Sequence, residues 1–144
     1  MDQLRLIALD EQDLNVISAH VQDAVMKVRD LQYLPDERRF VLAMNRFAWE
    51  RKSGFLRKKN ERRQSVLHFD RVLGAKAAGI ARDKPDEVLS LLAVSFVATD
   101  KPAGIVELVF SGGGAIMLDV ECVEARLADT GGVWQASSRP AHRI

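Results

Sequence analysis

The sequence predicts an α+β fold in which one N-terminal amphipathic helix packs on an antiparallel meander of about six to seven strands. Three observations carry that expectation. In residues 105–129, Val106, Leu108 and Phe110 alternate with Glu107 and Val109. Ser111-Gly112-Gly113-Gly114 then interrupts, and Ile116, Leu118, Val120 and Cys122 alternate with Met117, Asp119 and Glu121. A period of two, a glycine break and the same period again describe a half-buried hairpin. Near the start, Leu14, Ile17, Val21 and Ala24 recur at helical spacing, with Gln12, Asn15, Gln22 and Asp23 on the other side. Between the apolar runs stand turn signals, Leu34-Pro35-Asp36-Glu37, Asp83-Lys84-Pro85-Asp86 and Thr99-Asp100-Lys101-Pro102. A meander of this kind curls or closes into a partly closed barrel to limit exposed edges, and a pleckstrin-homology-like roll suits the strand count. That analogy concerns topology and carries no function.

In chain order, residues 4–9 set Leu4, Leu6 and Ile7 around Arg5, a first strand. Asp10 is a suitable helix N-cap with Asp13 three residues on, so a helix is expected over residues 11–23. Residues 24–33 and 39–50 flank the Pro35 turn. Phe40, Leu42, Met44 and Arg46 share one face of the second arm, while Val41, Ala43, Phe47 and Trp49 complicate the other. Mixed faces mean a strand buried on both sides or a bulge. Residues 51–63 (RKSGFLRKKNERR) lose all periodicity and read as a loop. Residues 64–80 regain strand character, with Ser65, Leu67 and Phe69 alternating with Val66, His68 and Asp70, and with Gly74 and Gly79 bending or ending the run. Residues 88–98 form a strongly apolar strand. At Cys122–Val123 the alternation slips by one residue, which implies a bulge; a helix starting near Asp119 is the rival, since Val120, Val123 and Leu127 are also helix-spaced. Residues 131–144 read as an irregular tail with Trp134 as its anchor.

A chain of 144 residues with 47% hydrophobic content suits a single domain, 1–144, with a real core. Twenty-one basic and twenty acidic residues nearly cancel, so net charge predicts no partner. One cysteine forms no internal disulfide and, beside Val120 in the inward phase, reads as a small buried hydrophobe. Acids at positions 2, 10, 11 and 13 and a short apolar run argue against a signal peptide. The longest apolar stretches, 88–98 and 105–110, fall short of the roughly 20 residues that cross a bilayer. A cytoplasmic protein is the expectation.

Several strings also resemble a bacterial family known only as domain of unknown function 2948. They are Ser18-Ala19-His20-Val21-Gln22-Asp23-Ala24, Tyr33-Leu34-Pro35 followed by Arg38-Arg39-Phe40, and Asn45-Arg46-Phe47 with Trp49-Glu50. Gly112-Gly113-Gly114-Ala115-Ile116 running into Asp119-Val120-Glu121-Cys122, and the closing Ser138-Arg139-Pro140-Ala141-His142, complete the set. The resemblance spans nearly the whole chain. It implies a compact bacterial protein with no established activity, substrate or cofactor, and it transfers no site residues.

The strongest candidate for binding is the basic segment. Between Arg46 and Arg63 stand eight positive and two negative residues, a local net of +6 against +1 for the whole chain. Its candidate partner-binding residues are Arg51, Lys52, Phe55, Arg57, Lys58, Lys59, Arg62 and Arg63. A basic loop with aromatics neutralises phosphates and stacks bases, and it equally suits an acidic protein surface or an anionic lipid head group. The plain alternative is a solvated loop that keeps the fold soluble.

Other chemistry finds less support. His20, His68 and His142 have no ligand-type spacing to one another or to Cys122, so no metal is implied. A nucleophilic Cys122 needs exposure and a base. Ser18, His20 and Asp23 sit too close on one helix to form a relay. The Ser111–Gly114 turn lacks the Lys-Ser/Thr and the helix of a phosphate loop. Asp119 and Glu121 share an outward strand face, where acids serve solubility and guard an edge. No cofactor follows from any of these residues. The function favoured is a non-enzymatic binding or adaptor domain that uses the basic loop to hold an acidic partner. The alternatives are a small-ligand binder or enzyme with a pocket in the mouth of the curled sheet, nucleic-acid binding through the loop, and a structural homodimer.

Overall fold

The computed structural model describes residues 3–52 and 55–133, with side chains described for 3–48 and 62–130. Strand β1 (Arg5–Ala8) leads into helix α1 (Glu11–Val21). Asp10 caps the helix, its Oδ1 accepting the Asp13 amide at 2.8 Å, and the Asp13 side chain in turn accepts from Leu9 N at 3.4 Å. The reciprocal bond therefore reaches one residue further back than a capping box. Leu14, Ile17 and Val21 are buried at 1% exposure or less, as their spacing requires. The helix ends two residues before the expected limit. Asp23 takes a left-handed conformation (φ 69°) that turns the chain into the next strand.

Nine further strands follow: β2 (Val25–Lys27), β3 (Leu31–Leu34), β4 (Arg39–Lys52), β5 (Phe55–Phe69), β6 (Val72–Ala78), β7 (Val88–Asp100), β8 (Ala103–Phe110), β9 (Ala115–Val120) and β10 (Ala125–Val133). They form one antiparallel sheet in the order β1-β10-β5-β4-β2-β7-β8-β9-β6, with β3 pairing β4 beside this path. The α+β class and the antiparallel sheet agree with the sequence; the count of six to seven strands was too low. Short β2 and β3 escape periodicity because three or four residues complete scarcely two periods. The expected single run over 64–80 is two strands, split where Arg71 adopts φ 65°. The path does not close, so no fully closed barrel forms. A pure meander fails because β10 inserts between β1 and β5 instead of staying beside β9.

Two halves of the sheet meet at β2. Val25 pairs with Asn45 on β4 and with Ser90 on β7, and Met26 and Lys27 continue against Leu89 and Val88. The chain crosses between the halves twice more, at residues 70–71 and 121–124. These crossings lie side by side, Asp70 N donating to Glu124 O at 2.9 Å and Glu121 N to Arg71 O at 3.0 Å. The phase slip at Cys122 is therefore a corner leading from β9 to β10, and no helix starts near Asp119. Cys122 is half-buried there, not fully enclosed.

One core cluster spans both halves, and the inward phases match the sequence pattern. Phe40, Leu42 and Met44 on β4 meet Leu67 and Phe69 on β5, and Val106, Leu108 and Phe110 meet Ile116, Leu118 and Val120. Leu91 and Val94, three residues apart, both face inward because β7 bulges between Leu91 and Ala93. Helix α1 packs against β7, β1 and β4, and Ser18 Oγ accepts the Val94 amide at 3.0 Å. The glycine turn is as expected, Gly112 and Gly113 at φ 82° and 94° with Phe110 N donating to Gly114 O at 2.8 Å. The tail anchor Trp134 lies outside the described residues.

Gly104 tests the packing between β7 and β8. A Cβ there would lie 2.4 Å from Val97 O and 2.5 Å from the Phe96 ring, whereas one at Gly74 meets nothing within 4 Å. Gly104→Ala is expected to lower unfolding free energy by about 1–3 kcal/mol in urea titrations. Gly74→Ala is expected to be neutral or to stabilise by up to about 1 kcal/mol, through the less flexible unfolded chain.

Candidate functional site

The basic segment is not a loop. Strands β4 and β5 stay paired from Phe40 opposite Phe69 to Lys52 opposite Phe55, with one irregularity between Ala48 and Glu50. Backbone hydrogen bonding sets this pairing, and backbone pairing needs no apolar period; that is why side-chain periodicity missed it. Arg51 and Lys52 lie on β4, opposite Leu56 and Phe55, and Arg57 lies opposite Glu50. Lys58 and Lys59 fall in the β5 stretch facing the irregularity. Strand β2 meets β4 only at Asn45, and β10 last meets β5 at Arg63 opposite Val133. Beyond those points, among the described residues, β4 and β5 pair only with each other. The expected binding residues thus stand on a two-stranded ribbon that leaves the sheet.

Arg62 and Arg63 differ in role. Arg62 is exposed, its guanidinium 5.3 Å from the centre of the Phe47 ring. Arg63 points back into the molecule, Nη1 lying 3.8 Å from Asp129 Oδ2 with its side chain 12% exposed. It belongs to the ribbon's root, not to its outer surface.

That root holds a buried ion pair that the search for binding motifs did not single out. Arg46 donates from Nε to Asp129 Oδ1 and from Nη2 to Oδ2, both at 3.0 Å. Ser65 Oγ donates to Asp129 Oδ1 at 2.7 Å, and Leu4 N donates to Oδ2 at 2.9 Å. The side chains of Arg46 and Asp129 are 7% and 0% exposed. Burial pushes the Asp129 carboxyl up, but the donors from Arg46, Ser65 and the Leu4 amide outweigh it and hold the group below its ordinary value. The signal was present in the sequence. Arg46, Ser65 and Asp129 each continue the inward phase of an apolar alternation, and register sets Ser65 opposite both Met44 and Asp129.

A cavity of about 370 Å³ opens beside this pair, between α1, the start of β1 and the ribbon's root. His20, a rejected metal and relay candidate, is one of its lining residues and bonds through Nδ1 to Val16 O at 3.0 Å.

A second polar cluster covers the crossing of the two linkers. Arg38 reaches Glu121, Arg71 reaches Glu124, and Arg126 and Arg39 both reach Asp70, at 2.7–3.4 Å. His68 Nε2 lies 3.5 Å from the same Asp70. Burial is the largest influence on His68 and lowers its pKa; Asp70 opposes this, and Arg39 and Arg126 add to the lowering. Asp119 is exposed, whereas Glu121 is drawn into this cluster instead of facing solvent alone. Among the described residues no three His, Cys, Asp or Glu side chains converge as a metal-holding group, and no helix is long and apolar enough to cross a membrane.

Among known proteins, a family model described as a protein of unknown function (DUF2948) matches residues 4–142. No curated protein and no solved structure matches the chain.

Breaking the buried pair leaves a guanidinium without its counter-charge. Asp129→Asn is expected to cost about 3–5 kcal/mol of unfolding free energy at pH 7, and Ser65→Ala about 1–3 kcal/mol, both measured in urea. Acid is expected to remove stability in two steps. The unfolded chain takes up a proton at histidine below its ordinary 6.5 before folded His68 does, so stability falls as pH drops below that value. Asp129 stabilises fully above its ordinary 3.8, and its contribution is lost as pH falls from there through the lower folded value. In pH-resolved denaturation, His68→Gln removes the first step and leaves the second.

Proposed function

This chain belongs to the DUF2948 family, whose description assigns no activity, and from its own geometry we propose a non-enzymatic binding or adaptor domain that holds an acidic partner on the β4–β5 ribbon. The observation that carries this reading is the continuation of β4 and β5 as a paired ribbon beyond their last contacts with β2 and β10. A flexible loop loses conformational freedom when it binds; a paired ribbon has already lost most of it. Strand geometry spaces successive residues by about 3.3 Å, so charges are offered at fixed intervals. Arg51, Lys52, Arg57, Lys58, Lys59 and Arg62 supply long-range attraction, and Phe55 adds an apolar contact. Arg46 and Arg63, tied to Asp129, anchor the ribbon instead.

Nucleic acid is the second reading, supported by the ribbon form itself, because a two-stranded ribbon fits the major groove of a duplex. One experiment separates the two. The tagged protein is recovered from its native cell extract at low salt, with and without nuclease, beside a variant carrying Arg57→Gln, Lys58→Gln, Lys59→Gln and Arg62→Gln. Arg63 stays intact because it supports the fold. The proposal expects partners that the variant loses: nuclease-resistant ones for an acidic protein, nuclease-sensitive ones for nucleic acid. An identical set of partners from both proteins removes the ribbon from the function.

A further inference from the structure

We propose that the cavity at the ribbon's root binds a small organic anion, a molecule joining one carboxylate or phosphate group to a compact apolar body. The site is separate from the ribbon's outer basic residues and does not depend on the reading above. Its volume, about 370 Å³, falls within the roughly 300–1,000 Å³ of ordinary small-molecule sites. Its lining divides by chemistry. Leu4, Ala19, Phe47 and Ala48 give an apolar surface, while Arg46, Arg63 and His20 are the polar lining residues. Among the described residues no carboxylate lines the cavity.

Arg46 is the group that carries the inference. Its Nε and Nη2 are fixed by Ser65 and Asp129, and its Nη1 makes no hydrogen bond among the described residues. The carboxylate therefore locks the guanidinium plane while one amino group remains for a ligand. An arginine held in this way binds a carboxylate or phosphate oxygen with little further loss of freedom. His20 is oriented likewise. Its Nδ1–H donates to Val16 O, which leaves Nε2 to accept from a ligand hydroxyl such as the P–OH of a phosphate monoester. Leu4, Ala19 and Ala48 line the cavity with these groups and supply its apolar wall. A bare inorganic ion leaves that wall unused, and an uncharged apolar molecule leaves the arginine unused.

The test is an amide-resolved NMR titration of the whole chain with phenyl phosphate, inorganic phosphate and benzyl alcohol. Phenyl phosphate is expected to give saturable shifts at Leu4, Ala19 and Phe47, and to bind more tightly than either of the other two. Ala19 lies on an exposed part of α1, so Ala19→Trp fills the cavity without disturbing the ion pair. That variant is expected to bind phenyl phosphate roughly tenfold more weakly or worse. A variant with Arg57→Gln, Lys58→Gln and Lys59→Gln is expected to bind it as the parent does. The proposal is overturned by a lack of saturable binding, by equal affinity for benzyl alcohol, by unchanged binding in Ala19→Trp, or by loss of binding in the ribbon variant.

Discussion

A single buried carboxylate organises one side of this molecule. Asp129 on β10 receives Arg46 from β4, Ser65 from β5 and the backbone amide of Leu4 just before β1. Three segments distant in sequence thus converge on two oxygen atoms of a fourth. An ionised carboxylate without water is costly, and the cost is offset only when its donors are present together and well aligned. A one-residue slip of β10 against β5 would turn Asp129 to the other face and strand the Arg46 guanidinium among apolar side chains. Apolar alternation alone tolerates a slip of two residues, since leucine and valine on the same face serve almost any neighbour. The charged pair does not, so it pins the order β1-β10-β5-β4 and sets where the ribbon leaves the sheet.

Much of the fold was legible in the residues because long alternations have only one economical arrangement. The glycine hairpin of β8 and β9, the inward set on β4 and β5, and the buried stripe of α1 follow from periods of two and 3.6 that each run for several repeats. What was not legible falls into two kinds. Strands β2 and β3 are too short for a period to register. Residues 47–62 pair as a two-stranded ribbon, and their sequence carries charge where buried strands carry valine. Pairing of β1 with β10 is also invisible locally, because alternation says which side of a strand is buried but not which strand lies beside it.

The candidate site shows the same limits from another direction. Runs of charge are conspicuous in a sequence, and they drew attention to Arg51–Arg63 as a group. The structure divides that group by phase. Arg63 turns inward to the carboxylate, while Arg62 stays outside over Phe47. Arg46, Ser65 and Asp129 were less conspicuous because each is a single polar residue ending an apolar pattern. Polar residues in an inward phase are the more informative signal. A solvated charge can stand almost anywhere on a surface, whereas a buried one must find partners.

The pairing of β1 with β10 also governs the order in which the protein can be completed as it is made. The β4–β5 hairpin and the β7–β8–β9 meander need only neighbouring chain and can form early. Arg46 emerges some eighty positions before Asp129, so it waits without its counter-charge while that interval is made. Until residue 129 arrives, β5 also presents an open edge to any strand nearby. Strand β10 thus acts as the closing piece: it covers that edge, neutralises the waiting arginine and fastens the first strand. A nascent chain halted before residue 125 would hold most of its apolar core and none of this fastening, which makes incomplete chains of this protein open to strand exchange with one another.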